Sequence, residues 1–156
     1  MLAIALAATV ALAPPLRGDE RSQILAAANA LLHALDKGTA QELEALVDPA
    51  GRMVIIDRTK SSETIRTLPM RQFITELPGH KDRLAERIGN PTLMQRGGLA
   101  QIWAPYTFWI NGKVSHCGID NFTLVKREGR WIVSDLSYTR QPVTECASLG
   151  APAEPE

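Results

Sequence analysis

His116 and Asp120 are the two residues of this chain whose types and spacing suggest chemistry. Four residues apart on a predicted strand, they share one face because successive side chains of a strand point to opposite sides. Their Cα atoms would be about 13 Å apart, too far for a direct hydrogen bond but close enough to hold one ligand between them. In an apolar cup, Asp120 could act as a base and His116 or Tyr106 as a proton donor. The alternative is that Asp120 only orders the sheet or anchors a ligand.

Aromatic residues are concentrated in the same part of the chain, and they indicate either the wall of a ligand pocket or an ordinary core. Tyr106 and Tyr138 are the strongest pocket candidates, because each ring carries a polar tip. The full set of candidate ligand-binding residues is Tyr106, Phe108, Phe122, Trp131, Ser137 and Tyr138.

The register of the last hairpin decides which side chains lie near Asp120. A two-residue turn at 128–129 places Phe122 opposite Asp135 and Ser137 directly across from Asp120. On the strand before it the register is open, and a bulge at Pro105 could also change which side chains face inward. A two-residue turn at 111–112 turns Trp103, Thr107 and Trp109 toward His116, whereas a three-residue loop turns Tyr106 and Phe108 there, which we favour.

Composition and motifs exclude several classes of function. The chain has 17 basic and 17 acidic residues, so its charge offers no general attraction to nucleic acid or to an anionic membrane. The three histidines, His33, His80 and His116, lack metal-ligand spacing, and no phosphate-binding loop or nucleophile elbow occurs. We therefore expect no metal and no cofactor.

Hydrophobic periodicity predicts helices first and a long antiparallel meander last, which is an α+β order. Helices are predicted at 21–37, 39–47 and 70–77, the second of them begun by a capping box at Thr39 and Glu42. Residues 59–67 are polar and predict a loop. Strands are predicted at 53–56, 84–88, 92–95, 99–110, 113–126 and 130–140.

The two ends of the chain differ from its centre. Residues 1–13 are uncharged and apolar and end in Ala11-Leu12-Ala13, which predicts a signal peptide over residues 1–18 and cleavage before Arg21. One domain then spans residues 19–146. The Pro- and Ala-rich residues 147–156 predict a disordered tail. The mature protein is expected in the periplasm or secreted, with no membrane contact after cleavage.

The two cysteines, Cys117 and Cys146, predict one disulfide, because an exported chain meets an oxidising compartment. Cys117 points to the face opposite His116, at the back of the sheet. Cys146 follows Pro142, where the chain leaves the last strand and can fold over that back. Two free thiols are the alternative.

The motifs around these residues resemble the nuclear transport factor 2-like (NTF2-like) superfamily, closest to small secreted bacterial members of the SnoaL-like or lumazine-binding-like kind. They are Trp103-x-x-Tyr106-x-Phe108, His116-Cys-Gly-x-Asp120-x-Phe122 and Gly129-x-Trp131. The resemblance covers roughly residues 20–146. It implies a cone-shaped, curved antiparallel sheet wrapped around N-terminal helices, a cystatin-like roll with an apolar pocket, and it implies little about chemistry.

Three functions follow from this reading. The first is an exported pocket domain that binds a small apolar or aromatic ligand. The second is a cofactor-independent isomerase or dehydratase that uses Asp120 and His116. The third is a module that forms a homodimer through the outer sheet face, where Ile119, Val125, Ile132 and Leu136 would lie.

Overall fold

The long N-terminal helix supplies one side of the hydrophobic core. The computed structural model describes residues 17–155, and helix α1 spans Arg17–Lys37. Its apolar stripe of Ile24, Ala28, Leu31 and Leu35 is almost fully shielded from solvent. Residues 1–16 lie outside the described part of the chain, so the signal peptide stays a prediction.

Two further helices follow the predicted boundaries closely. Helix α2 spans Ala40–Leu46, and Thr39 forms the predicted capping box with Glu42. Helix α3 spans Met70–Glu76 and is followed by a short 3₁₀ turn at Leu77–Gly79. Helix α4, Cys146–Leu149, lies where a tail was expected. No described helix is long and apolar enough to cross a membrane.

Seven strands within residues 17–155 form one curved, open, mixed sheet. Its order is β2-β1-β7-β6-β5-β3, with β4 also paired to β5. The bounds are Arg52–Asp57 for β1, Thr64–Pro69 for β2, Leu84–Ile88 for β3, Thr92–Arg96 for β4, Leu99–Ile110 for β5, Lys113–Arg127 for β6 and Arg130–Arg140 for β7.

The sheet corrects two expectations. Strand β1 runs parallel to β7, so the sheet is mixed rather than wholly antiparallel. Strand β2 occupies part of the segment predicted as a loop. Its side chains are almost all exposed, so this edge strand carries no apolar alternation that a sequence pattern could reveal.

Two β-bulges determine which side chains face the concave side of the sheet. Between β6 and β7, Thr123 pairs with Asp135 but Leu124 pairs with Val133, which leaves Ser134 as an extra residue. Between β5 and β6, Phe108 pairs with His116 but Trp109 pairs with Val114. The turn at 111–112 therefore has two residues, and the bulge at Ser115 still brings Phe108 opposite His116.

The C-terminal segment packs against the back of the sheet instead of forming a disordered tail. The predicted disulfide between Cys117 and Cys146 is present and anchors its start. Further along, Thr107 donates a hydrogen bond to the carbonyl of Pro152 at 2.6 Å. These contacts bury Thr107 and give the segment defined partners that its Pro- and Ala-rich composition does not reveal.

Candidate functional site

A cavity of about 290 Å³ lies between α1, α3 and the concave face of the sheet. This volume is at the lower end of the range of ligand pockets. Most of its wall is aliphatic or aromatic, and five polar or charged side chains interrupt it. The lining residues are Leu31, Leu32, Leu35, Met53, Phe73, Leu77, Leu84, Glu86, Phe108, Ile110, His116, Asp120, Leu136, Tyr138 and Arg140.

Two acids meet in this wall. Glu86 on β3 and Asp120 on β6 hydrogen-bond to each other through their carboxyl groups. Burial raises the pKa of Glu86 to about 7, although the hydrogen bond from Asp120 opposes the rise. Burial, and then the nearby charge of Glu86, raise the pKa of Asp120 well above its usual range. Asp120 therefore holds the proton and donates it to the Glu86 carboxylate.

The two acids differ in their access to the cavity. Asp120 is only 2% exposed, and its buried Oδ2 atom has no hydrogen-bond partner among residues 17–155. Burying such an atom costs little free energy when it is the carbonyl oxygen of a neutral acid. The cost is much higher when the atom belongs to a charged carboxylate. Glu86 is half-buried and also borders a neighbouring groove under β3. Both acids line the cavity, and Glu86 is the more accessible of the two.

Tyr106 and Tyr138 stand beside the acid pair. The rings meet edge to face at 6.2 Å, and Tyr106 donates a hydrogen bond to the carbonyl of Thr139 at 2.8 Å. Burial raises the pKa of both phenols, that of Tyr138 to about 12, so both stay protonated. Tyr106 is buried behind the wall, whereas Tyr138 lines the cavity.

His116 is an uncharged part of the wall. Its ring stacks on Phe108 at 5.0 Å and meets Tyr106 edge to face at 5.8 Å. Its Nδ1 lies 3.1 Å from the Ser115 hydroxyl oxygen. Burial, with a smaller contribution from the positive charge of Arg140, lowers the pKa of His116 to about 4. At neutral pH the imidazole can donate or accept a hydrogen bond but carries no charge.

An ion pair occupies another part of the wall. Arg140 donates to the Asp57 carboxylate at 2.8 Å, and Asp57 also accepts from the Thr59 hydroxyl at 2.6 Å. The Thr59 hydrogen bonds are the main reason that the pKa of Asp57 is lowered. Asp57 therefore partners one side of the Arg140 guanidinium, whereas the Arg140 Nε is buried without a hydrogen-bond partner among the described residues.

Only some of the predicted ligand-binding residues line the cavity. Phe108 and Tyr138 line the cavity, as do both residues predicted as catalytic. Phe122 and Trp131 belong to the core, and Trp131 donates to Glu20. Ser137 is opposite Asn121 rather than Asp120, because the bulge at Ser134 turns it to the outer face.

Sequence reasoning missed Glu86, Arg140 and Asp57. The signal for Glu86 was present in Leu84-Ala-Glu86-Arg-Ile88, where an acid takes a position between two apolar side chains on one strand face. Arg140 was missed because the bulge at Ser134 changes the face of every later residue of β7. Among residues 17–155, no three His, Cys, Asp or Glu side chains are grouped so as to hold a metal ion.

Comparison with known proteins identifies the fold. Neither a family model nor a curated protein sequence matches the chain. Among solved structures, an NTF2-like protein from Cytophaga hutchinsonii superposes with a TM-score of 0.66 at 17% identity, covering 78% of this chain and 98% of that one. This chain has the NTF2-like fold.

Other proteins with the NTF2-like fold have different descriptions. A protein of unknown function with a cystatin-like fold from Nostoc punctiforme gives a TM-score of 0.61 at 14% identity, covering 82% of this chain and 96% of that one. A chain from Novosphingobium aromaticivorans, assigned as the beta subunit of an aromatic-ring-hydroxylating dioxygenase, gives a TM-score of 0.62 at 13% identity, covering 81% of this chain and 92% of that one. The fold predicted from the sequence is confirmed, and the small secreted subgroup stays a prediction.

Proposed function

We propose that this NTF2-like domain binds a small, mainly apolar molecule in the cavity under α1. The observation that carries the proposal is the cavity itself, with about 290 Å³ of space, a largely apolar wall and an acid pair at one side. An apolar wall favours an apolar body, and a few converging polar groups fix the orientation of a ligand. We also propose that the protein is exported. The Cys117–Cys146 disulfide supports export, because disulfides form and persist in oxidising compartments.

Calorimetric titration with cyclohexanol, an apolar ring with one hydroxyl, tests the proposal. The wild-type protein should bind it, and Leu84→Trp, which fills the cavity from β3, should not. Ser137→Ala, on the outer face of the same sheet, is the matched control and should bind as the wild type does. Equal binding by wild type and Leu84→Trp would place the ligand elsewhere, and no binding by wild type would contradict the proposal.

Proton-transfer catalysis is the second candidate, favoured by the pKa of Glu86. A base works best when its pKa is near the operating pH, and Glu86, at about 7, meets this condition inside an apolar cavity. This assigns the basic role to Glu86 and makes Asp120 its hydrogen-bond donor. Tyr138 and neutral His116 are the available donors to a developing oxyanion.

Deuterium exchange at the α-carbon of cyclohexanone, followed by NMR, tests the catalytic candidate. The wild-type protein should accelerate exchange above pH 7, and Glu86→Gln should remove the acceleration. Equal rates with and without the protein would leave binding as the function.

A dimerising outer face is the third candidate. Trp103 and Leu99 are 52% and 55% exposed, and Val125 lies between Leu99 and Ile132 on the outer face. The cluster differs from the one expected, because the bulge turns Leu136 into the cavity. Sedimentation velocity should show a dimer that Trp103→Glu dissociates, and a monomeric wild type would contradict this.

A further inference from the structure

We propose that the cavity is a site for an organic ammonium ion, a small amine whose charged nitrogen lies against Glu86 and whose apolar body fills the space under α1. This inference rests on the proposed ligand-binding function and names the chemical class of the ligand. It concerns Glu86 as the contact residue and Asp120 as a positioning residue behind it.

Glu86 lacks a cationic partner in the described part of the chain. Its one carboxyl contact is the neutral Asp120, and it takes part in no ion pair among residues 17–155. The one cation in the cavity wall, Arg140, is paired with Asp57. A carboxylate in an apolar wall is costly unless a cation or a proton completes it. A ligand that carries a positive charge would supply the cationic partner that Glu86 lacks among residues 17–155.

Glu86 is the acid of this wall that ionises near neutral pH without a cation paired to it among residues 17–155. Asp120 on β6 holds a proton, Tyr106 on β5 and Tyr138 on β7 are neutral phenols, and His116 is neutral. Arg140 is paired with Asp57, but its positive charge still acts on His116 and on both tyrosines, and the charge of Arg66 also reaches Tyr138. His33 on α1 borders the groove next to Glu86 but not the cavity itself. When Glu86 ionises, its carboxylate is therefore the group of the wall that a ligand's positive charge can pair with.

The rest of the wall suits an ammonium ion with a hydrocarbon body. Phe108 pairs with Glu86 across β3 and β5, and Tyr138 pairs with Asp120 across β6 and β7. Both rings line the cavity close to the acid pair. Aromatic faces attract organic cations, and the aliphatic residues of α1 provide the apolar contact.

Asp120 positions the Glu86 carboxylate by donating a hydrogen bond from its buried proton. Asparagine has nearly the same shape and also donates without charge, so Asp120→Asn should preserve the arrangement. Glu86→Gln removes the charge at the contact atom itself. The two substitutions therefore separate the contact residue from the positioning residue.

Calorimetry with cyclohexylamine and cyclohexanol, two probes of the same shape, tests the inference at pH 8 and pH 5.5. An alkylamine keeps its proton to about pH 10, as lysine does, so only the protein changes charge between these conditions. At pH 8 the amine should bind at least about tenfold more tightly than the alcohol, as expected for a charged hydrogen bond. At pH 5.5 this preference should fall by about tenfold, because Glu86 is then protonated.

The variants complete the test. Glu86→Gln should bind both probes equally at pH 8, and Asp120→Asn should keep the preference for the amine within about twofold.

Alcohol binding without an amine preference would overturn the ammonium site alone, whereas no binding of either probe would overturn the ligand-binding function as well. A preference that survives in Glu86→Gln, or is lost in Asp120→Asn with Glu86 present, would show that the roles are assigned wrongly. Thermal unfolding of each variant confirms that it is folded.

Discussion

At the scale of single residues, the site depends on where one proton lies. Asp120 is buried deeply enough to remain a neutral acid, and Glu86 is left as the group that ionises near neutral pH. Since the two acids interact strongly, their protons are lost in steps that belong to the pair. The sequence correctly singled out Asp120 as a buried acid but did not reveal that a second acid lies beside it.

Glu86→Gln should change the pH dependence of stability. The pKa of Glu86 is raised from 4.5 to about 7 in the folded protein. A raised pKa contributes stability below the unfolded value and loses it as pH rises through the folded value. Wild type should therefore lose about 1–3 kcal/mol relative to Glu86→Gln between pH 4.5 and pH 8.

Urea unfolding at several pH values measures this difference. Glu44→Gln, on the exposed side of α2, is the control for removing a glutamate charge from the surface. A wild-type stability that runs parallel to that of Glu86→Gln from pH 4.5 to pH 8 would mean that Glu86 ionises like an exposed glutamate.

At the scale of elements, the bulges decide which side chains reach the cavity. The lengths of β5, β6 and β7 and the positions of both hairpin turns were predictable, because long alternating runs and Asn-Gly or Glu-Gly pairs mark them. The three-residue loop favoured before β6 was wrong, since the turn at 111–112 has two residues. The bulges at Ser115 and Ser134 were not, since neither position carries a distinctive residue. For this reason the expected place of Ser137 was wrong and Arg140 was overlooked. The favoured inward position of Phe108, opposite His116, is confirmed.

Strand β2 and the parallel pairing of β1 with β7 were missed for a different reason. Strand β2 is an exposed edge with no buried face, and a pairing between the first and last strands is set by the overall fold rather than by local sequence. The capping box at Thr39 was predictable because it depends on neighbouring residues alone.

Gly118→Ala should destabilise the contact between β6 and β7. A Cβ atom at Gly118 would lie 1.9 Å from the carbonyl oxygen of Thr139, which also accepts the hydrogen bond from Tyr106. The strands must move apart to admit it, at a cost of about 1–3 kcal/mol. The comparison is Gly98→Ala, whose Cβ atom would make only ordinary contacts with Lys126, the nearest at 3.5 Å. Urea unfolding of both variants checks this, and equal midpoints would contradict the close approach.

At the scale of the whole molecule, the disulfide fixes the C-terminal segment to the back of the sheet. Cys117 is fully buried, and the bond joins it to Cys146 across 29 positions of sequence. The segment that follows covers Thr107 on the side of β5 opposite the cavity. Cavity and disulfide thus lie on opposite faces of the same strands.

Replacing both cysteines with alanine should lower the free energy of unfolding by roughly 3–4 kcal/mol in the chain-entropy account of cross-links. Ligand binding should persist in the folded double variant, because the disulfide lies behind the sheet. Urea unfolding gives the stability, with Ser148→Ala in α4 as the control. Alkylation of both cysteines in the unreduced wild-type protein, detected by intact mass, would contradict the bond.

The acid pair in the cavity holds one proton on Asp120 and leaves Glu86 to ionise near neutral pH. Carbon-13 NMR of the side-chain carboxyl groups, recorded from pH 3 to pH 9 and assigned with Glu86→Gln and Asp120→Asn, measures this directly. We expect a midpoint for Glu86 at about 7 and an Asp120 signal that remains that of a neutral acid well above its ordinary pKa. Two carboxyl groups that both titrate near pH 4 would contradict it.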